Sequence, residues 1–133
     1  MSRVLVDSSI WVAFFRGDTA IRDRVFELSQ GPGVVTCEPV MMEILSGGRG
    51  NGVHRIEAFL DGFASLPVRP ALDFRLAAAL RRRLRDRGMT VRSGMDALIA
   101  TVALNHDATV LHQDVDFERI ASVTGLRQER WVA

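Results

Sequence analysis

The sequence predicts an α/β fold in which a parallel sheet is covered by helices on both faces. Three observations predict it. Short apolar runs rich in β-branched residues occur at Val4-Leu5-Val6, Val34-Val35-Thr36 and Thr109-Val110-Leu111, and they lack the alternation of a strand with one wet face. The stretches between them carry helical periodicity, and strands alternating with helices favour parallel pairing. The chain has 133 residues, 47% of them apolar, which suits one domain over 1–133 with a core of its own.

The elements follow in order. Arg3-Val4-Leu5-Val6 reads as a buried strand that ends at Asp7. Ser8 or Ser9 can cap a helix through Ile10, Trp11, Val12, Phe14 and Phe15, closed by Gly17. Asp18-Thr19 opens a second helix with Ile21, Val25, Phe26 and Leu28 on one face. Gln30-Gly31-Pro32-Gly33 is a loop, and Val34-Val35-Thr36 a second strand. Pro39 suits an early helical position, and Val40, Met41, Ile44 and Leu45 continue that helix. Gly47-Gly48-Arg49-Gly50-Asn51-Gly52 resembles a phosphate loop but lacks the Gly-Lys-Ser/Thr ending and follows no strand, so it reads as a connector.

A helix is expected from about Val53 to Phe63, then an edge-like segment at Leu66-Pro67-Val68. The helix after Pro70 places Leu72, Leu76, Leu80 and Leu84 toward the core and ends at Gly88. Its arginines Arg75, Arg81, Arg82, Arg83, Arg85 and Arg87 must then face elsewhere. Another helix starts near Gly94 and runs through Leu104. Thr109-Val110-Leu111 is a strand, Phe117 to Ile120 a short helix, and Arg130-Trp131-Val132 a final strand. The spacing of Trp11, Phe14 and Phe15 prevents all three from facing one direction of a helix, so either at least one lies at the surface or all three are buried between the core and a dimer contact.

Composition narrows the function classes. No apolar run reaches the ~20 residues that span a bilayer. Asp7 interrupts what a signal peptide would need, and a lone Cys37 cannot form an internal disulfide, so a cytoplasmic protein with no membrane association is expected. A net charge of +1 does not announce nucleic-acid binding. All 17 basic residues are arginine, which excludes any mechanism that needs a lysine.

The acids carry the functional signal. Ligands of a parallel α/β sheet gather beyond the carboxyl ends of its strands. Asp7 follows the first strand directly and Asp114 follows the Thr109–Leu111 strand, so both point to one crevice. Glu43 lies in a helix after a strand, between apolar Met42 and Ile44, and Asp96 lies near a helix start, where acids also serve as caps. Carboxylates brought together repel unless a cation compensates, and hard oxygen donors select Mg²⁺ or Mn²⁺ over zinc. His54, His106, His112 and Cys37 are scattered and offer no zinc cluster.

These residues resemble a PIN domain, and more narrowly the VapC-type toxins of bacterial toxin–antitoxin pairs. Val4-Leu5-Val6-Asp7-Ser8-Ser9-Ile10-Trp11-Val12 is similar to the family's opening strand and acid. Glu38-Pro39-Val40-Met41-Met42-Glu43-Ile44 resembles its second motif, and the run from Ser93 to Leu104, containing Asp96, its third. Val110-Leu111-His112-Gln113-Asp114-Val115-Asp116-Phe117 resembles the fourth. The motifs occur in order over nearly the whole chain.

The resemblance implies a three-layer α/β/α sandwich, endoribonuclease activity with Mg²⁺ (Mn²⁺ as a substitute), a homodimer and a small antitoxin partner. It implies Asp7 and Asp96 as metal ligands, with Glu43, Asp114 and Asp116 completing the acidic ring and the choice between Asp114 and Asp116 as fourth acid left open. Ser8 and His112 are candidates for substrate contact, and His112 stands where the family often has Thr or Ser.

Other readings are a PIN-fold nuclease acting on DNA or in RNA processing outside a toxin–antitoxin pair, a Mg²⁺-dependent phosphatase, and a binding scaffold without activity. The phosphatase type expects Asp-x-Asp after its first strand, whereas Ser8-Ser9 follow Asp7.

Overall fold

In a computed structural model of the chain, which describes residues 2–48 and 50–132, five strands and seven helices alternate. They are β1 (Val4–Val6), α1 (Ser8–Phe15), α2 (Thr19–Gln30), β2 (Val34–Cys37), α3 (Glu38–Ser46), α4 (Asn51–Leu60), β3 (Ala64–Leu66), α5 (Leu72–Asp86), α6 (Gly94–Asn105), β4 (Thr109–His112), α7 (Val115–Ala121) and β5 (Gln128–Arg130). Arg49 of the glycine-rich connector lies outside the described residues.

The strands form one sheet in the order β3-β2-β1-β4-β5, and every pairing is parallel. The chain winds outward from β1 to β3, then returns to β4 and β5. Right-handed crossovers in opposite directions put α1–α4 on one face and α5–α7 on the other. The contacts agree: α1 packs on α2 and α3, α3 on α4, and α5, α6 and α7 on one another. The result is the three-layer sandwich. Val4, Leu5 and Val6 are all buried because helices cover both faces of the central strand. Helix α6 is buried from Asp96 through Ala103.

The order reverses between β1 and β4, which opens a crevice at their carboxyl ends. The Asp7 N–H donates to the Leu111 carbonyl at 2.9 Å and holds the two strand ends together.

Several expectations are corrected. Leu72 and Leu76 of α5 are exposed, and the buried stripe is Asp73, Ala77, Leu80 and Leu84. A strict four-residue repeat advances around the helix by about 40° each step, whereas mixed steps of four and three stay on one face. Phe26 is 66% exposed because it lies about 100° around the helix from Val25, while Ile21, Val25 and Leu28, at steps of four and three, form the buried face of α2. Asp7, not Ser8 or Ser9, is the N-cap of α1. β3 precedes Pro67, and β5 ends before Trp131 although Trp131 is the more apolar residue. Trp11 is fully buried, while Phe14 and Phe15 are half-buried and cluster with Phe59 and Phe63.

Candidate active site

Two of the acids sit directly after strands of the crevice. Asp7 leaves β1 in extended conformation and caps α1, accepting the Ser9 N–H at 3.2 Å and the Ser9 hydroxyl at 2.7 Å through Oδ2. Its other oxygen, Oδ1, is buried and has no partner among the described residues. Asp114 leaves β4 and caps α7, accepting the Asp116 N–H at 2.9 Å through Oδ1. Ser9 joins the two strand ends, because its hydroxyl also accepts the Gln113 N–H at 3.1 Å.

The other acids come from helices: Asp96 and Asp116 from first turns, and Glu43 from the middle of α3. Asp96 is in the first turn of α6, whose N-cap is Ser93, and is nearly fully buried. Asp96, Asp114 and Asp116 each bring an oxygen within 4.8 Å of the others, a spacing that one cation could bridge. Glu43 on α3 is half-buried and accepts the Ser8 hydroxyl at 3.0 Å.

Ion pairs divide these acids into two sets. Asp116 is fully buried and accepts Arg119 at 2.9 Å and the Arg92 N–H at 3.0 Å. The Arg92 side chain, 77% exposed, donates to Asp114 at 3.3 Å. Among the described residues Asp7, Glu43 and Asp96 have no ion pair.

The electrostatics follow this division. Burial raises the Asp7 carboxyl above its ordinary range, against the Ser9 hydrogen bonds. Burial, then the neighbouring Asp7 charge, raises Glu43. Asp96 is pushed up to about 8 by burial and then by Asp7, Asp114, Glu43 and Asp116. Burial also opposes ionisation of Asp114, but the Asp116 N–H and Arg92 outweigh it and hold that carboxyl below its usual range. Cys37, under the same end of the sheet, is pushed up to about 12 chiefly by burial and is not a thiolate nucleophile.

His112 does not face a substrate. It is fully buried, its Nδ1 accepts the Asp114 N–H at 3.0 Å, and its Nε2 faces Gln128 Oε1 at 2.7 Å. Both ring nitrogens are taken, which corrects the expectation of a substrate contact. Ser8 is half-exposed and directed at Glu43. The sequence reading missed Arg92, Arg119, Gln128 and the bridging role of Ser9. Arg119 lies three residues from Asp116 on α7, a spacing that signals a helical ion pair. Arg92 and Gln128 carry no local signal, since their partners come from other elements.

Known proteins are similar to this chain in sequence and in fold. The PIN domain family model matches residues 4–123. Ribonuclease VapC11 of Mycobacterium tuberculosis (strain ATCC 25618 / H37Rv) is 41% identical over 128 residues, covering 93% of this chain and 96% of the relative. Ribonuclease VapC51 of the same strain is 31% identical over 124 residues, covering 92% and 88%. The fold is similar to that of DNA-bound VapBC from Salmonella typhimurium, with a TM-score of 0.76, 22% identity and coverage of 99% and 100%. VapBC2 from Rickettsia felis, bound to a promoter DNA fragment, gives 0.74 at 19% identity, covering 98% and 99%. The chain belongs to the PIN-domain family and, within it, to the relatives named VapC ribonucleases.

Proposed function

We propose that this chain is the toxin of a toxin–antitoxin pair, an endoribonuclease that hydrolyses RNA phosphodiester bonds with Mg²⁺, for which Mn²⁺ can substitute. The observation that carries the reading is the unbalanced half of the acidic site. Among the described residues Asp7, Glu43 and Asp96 have no cationic partner and Asp7 Oδ1 is buried without a partner, and all three carboxyls are raised. An all-oxygen set with uncompensated charge fits a hard divalent cation.

Asp7 and Asp96 are the proposed ligands, with Asp114 as the fourth acid. Asp114 Oδ1 is engaged by its cap and by Arg92, which leaves Oδ2 for the site. Asp116 is instead consumed by Arg119 and by the backbone of Arg92, and it anchors the loop before α6. Bound there, the cation supplies charge for the scissile phosphate and for an attacking water. Glu43, steadied by Ser8, is placed to orient that water and accept its proton. Exposed Arg92 is placed to meet phosphate oxygens.

The names of the relatives and structural neighbours support the substrate and an antitoxin partner, and we further propose a homodimer. The test is cleavage of single-stranded RNA and DNA side by side, with Mg²⁺, with Mn²⁺ and with EDTA. RNA cleavage abolished by EDTA is expected. Cleavage that survives EDTA overturns the metal mechanism, and cleavage of DNA alone overturns the substrate. Co-expression with the small reading frame adjacent to the gene should give a co-purifying, inhibited complex. A chain that stays active and alone refutes the pairing.

A further inference from the structure

We propose that His112 and Gln128 form a positioning relay that carries the orientation of Asp114 back to the edge strand β5. The inference rests on the metal-nuclease reading above and concerns how its fourth acid is held.

The Asp114 N–H can only donate, so the His112 Nδ1 that receives it at 3.0 Å must bear a lone pair. The ring proton of the neutral imidazole then sits on Nε2 and is donated to Gln128 Oε1 at 2.7 Å. Val110 pairs with Gln128 and His112 with Arg130, so Gln128 and His112 project from one face of the sheet. Phe117 packs against the imidazole at 4.9 Å and limits rotation of the ring. The Trp131 N–H donates to the His112 carbonyl at 2.7 Å and ties the end of β4 to β5 a second time.

A threonine at position 112 would accept the same N–H through a hydroxyl whose own hydrogen can rotate toward any nearby acceptor, so it would not depend on Gln128. An imidazole needs an outside partner, because its two nitrogens are distinct and a ring turned over loses both bonds. The histidine therefore makes the geometry of Asp114 depend on Gln128. Among the described residues Gln128 hydrogen-bonds to His112 and to none of the site acids, so it acts through another residue and is a positioning residue.

A double-mutant cycle tests the relay. Mn²⁺ affinity is read by electron paramagnetic resonance, and kcat and KM by RNA cleavage. In the wild-type background Gln128→Leu should weaken Mn²⁺ binding about tenfold, as loss of a ligand's supporting hydrogen bond does. It should lower kcat with little change in KM. In a His112→Thr background the same substitution should change both by less than twofold. An equal loss in the two backgrounds, or none in the wild type, overturns the relay. Gln128→Met serves in the same cycle if the leucine variant does not fold. Wild-type protein that binds no Mn²⁺ overturns the metal mechanism on which the relay rests. Wild-type protein that binds Mn²⁺ and ignores both Gln128 substitutions overturns the relay alone.

Discussion

Replacing Asp96 by asparagine should stabilise the metal-free protein at alkaline pH and do little at acid pH. The side chain is buried and its carboxyl is displaced from 3.8 to about 8. Its folded state therefore binds a proton more tightly than its unfolded state. Stability from this group is complete below the unfolded value and is lost as pH rises toward the folded value. At ~1.4 kcal/mol per tenfold change in acidity, the ionised carboxylate costs at most about 6 kcal/mol. Relaxation among Asp7, Glu43 and Asp114 shares that cost, so Asp96→Asn should gain about 2 kcal/mol at pH 8.5, or roughly 8 °C in Tm. Near pH 5 only the first part of the interval between the unfolded and folded values has been crossed, so the gain should shrink to well under ~1 kcal/mol, and it should vanish below about pH 4. Thermal unfolding in EDTA at both pH values is the assay. Saturating Mn²⁺ should reverse the order, because it stabilises only the protein that binds it. A loss of stability of the same size at both pH values would refute the reasoning and make Asp96 a structural acid.

Asp116→Asn should behave oppositely, destabilising the metal-free protein by about 2 kcal/mol in the same assay, because it leaves Arg119 without its buried partner. A gain in Tm would return Asp116 to the ligand set. Asp73 accepts the Arg69 N–H, the Arg69 guanidinium and the Asn105 amide. Burial opposes its ionisation, but these donors hold its carboxyl below the ordinary range, so its contribution is present at neutral pH and lost on acidification. Asp73→Asn should cost about 2–3 kcal/mol by chemical denaturation without changing Mn²⁺ affinity, and a change in that affinity would contradict a purely structural role. Arg81, Arg82 and Arg85 of α5 are exposed. Their joint replacement by glutamine should flatten the logarithmic salt dependence of RNA binding by about 2 if they contact phosphates, and an unchanged slope means a merely solvated helix face.

How far the sequence could be read depended on whether a feature was local. The buried strands β1, β2 and β4 were legible because helices on both faces demand unbroken apolar runs. The edge strands were displaced by two residues, since β3 and β5 are set by pairing to Cys37 and His112, not by their own hydrophobicity. The stripe of α5 was misread because four leucines outweighed Asp73, whose charge is acceptable in the interior once Arg69 and Asn105 satisfy it. In the site, Asp7 and Asp114 stood out from their places after strands and Asp96 from its place at a helix start, whereas Glu43, inside a helix, and Asp116 depended on the family resemblance. What separates Asp114 from Asp116 could not, because the deciding partners Arg92 and Arg119 act through three-dimensional contact.

A strand-end acid that caps the next helix is an ordinary stabilising feature, and so is an acid in the first turn of a helix. Asp7, Asp114 and Asp96 are all of this kind. A cap, however, uses only one carboxylate oxygen. In a parallel sheet the capped helix ends meet over the carboxyl edge, so the second oxygens converge there. Where arginine is near, as at Asp114 and Asp116, the charge is balanced within the protein. Where none is paired among the described residues, as at Asp7, Glu43 and Asp96, raised carboxyls and an unpartnered oxygen remain. The structural role of each acid and its proposed chemical role are therefore the same placement seen from its two oxygens. Removing the Asp7 cap should harm α1 and the site together, while Asp96→Asn, which leaves the Ser93 cap in place, separates the two.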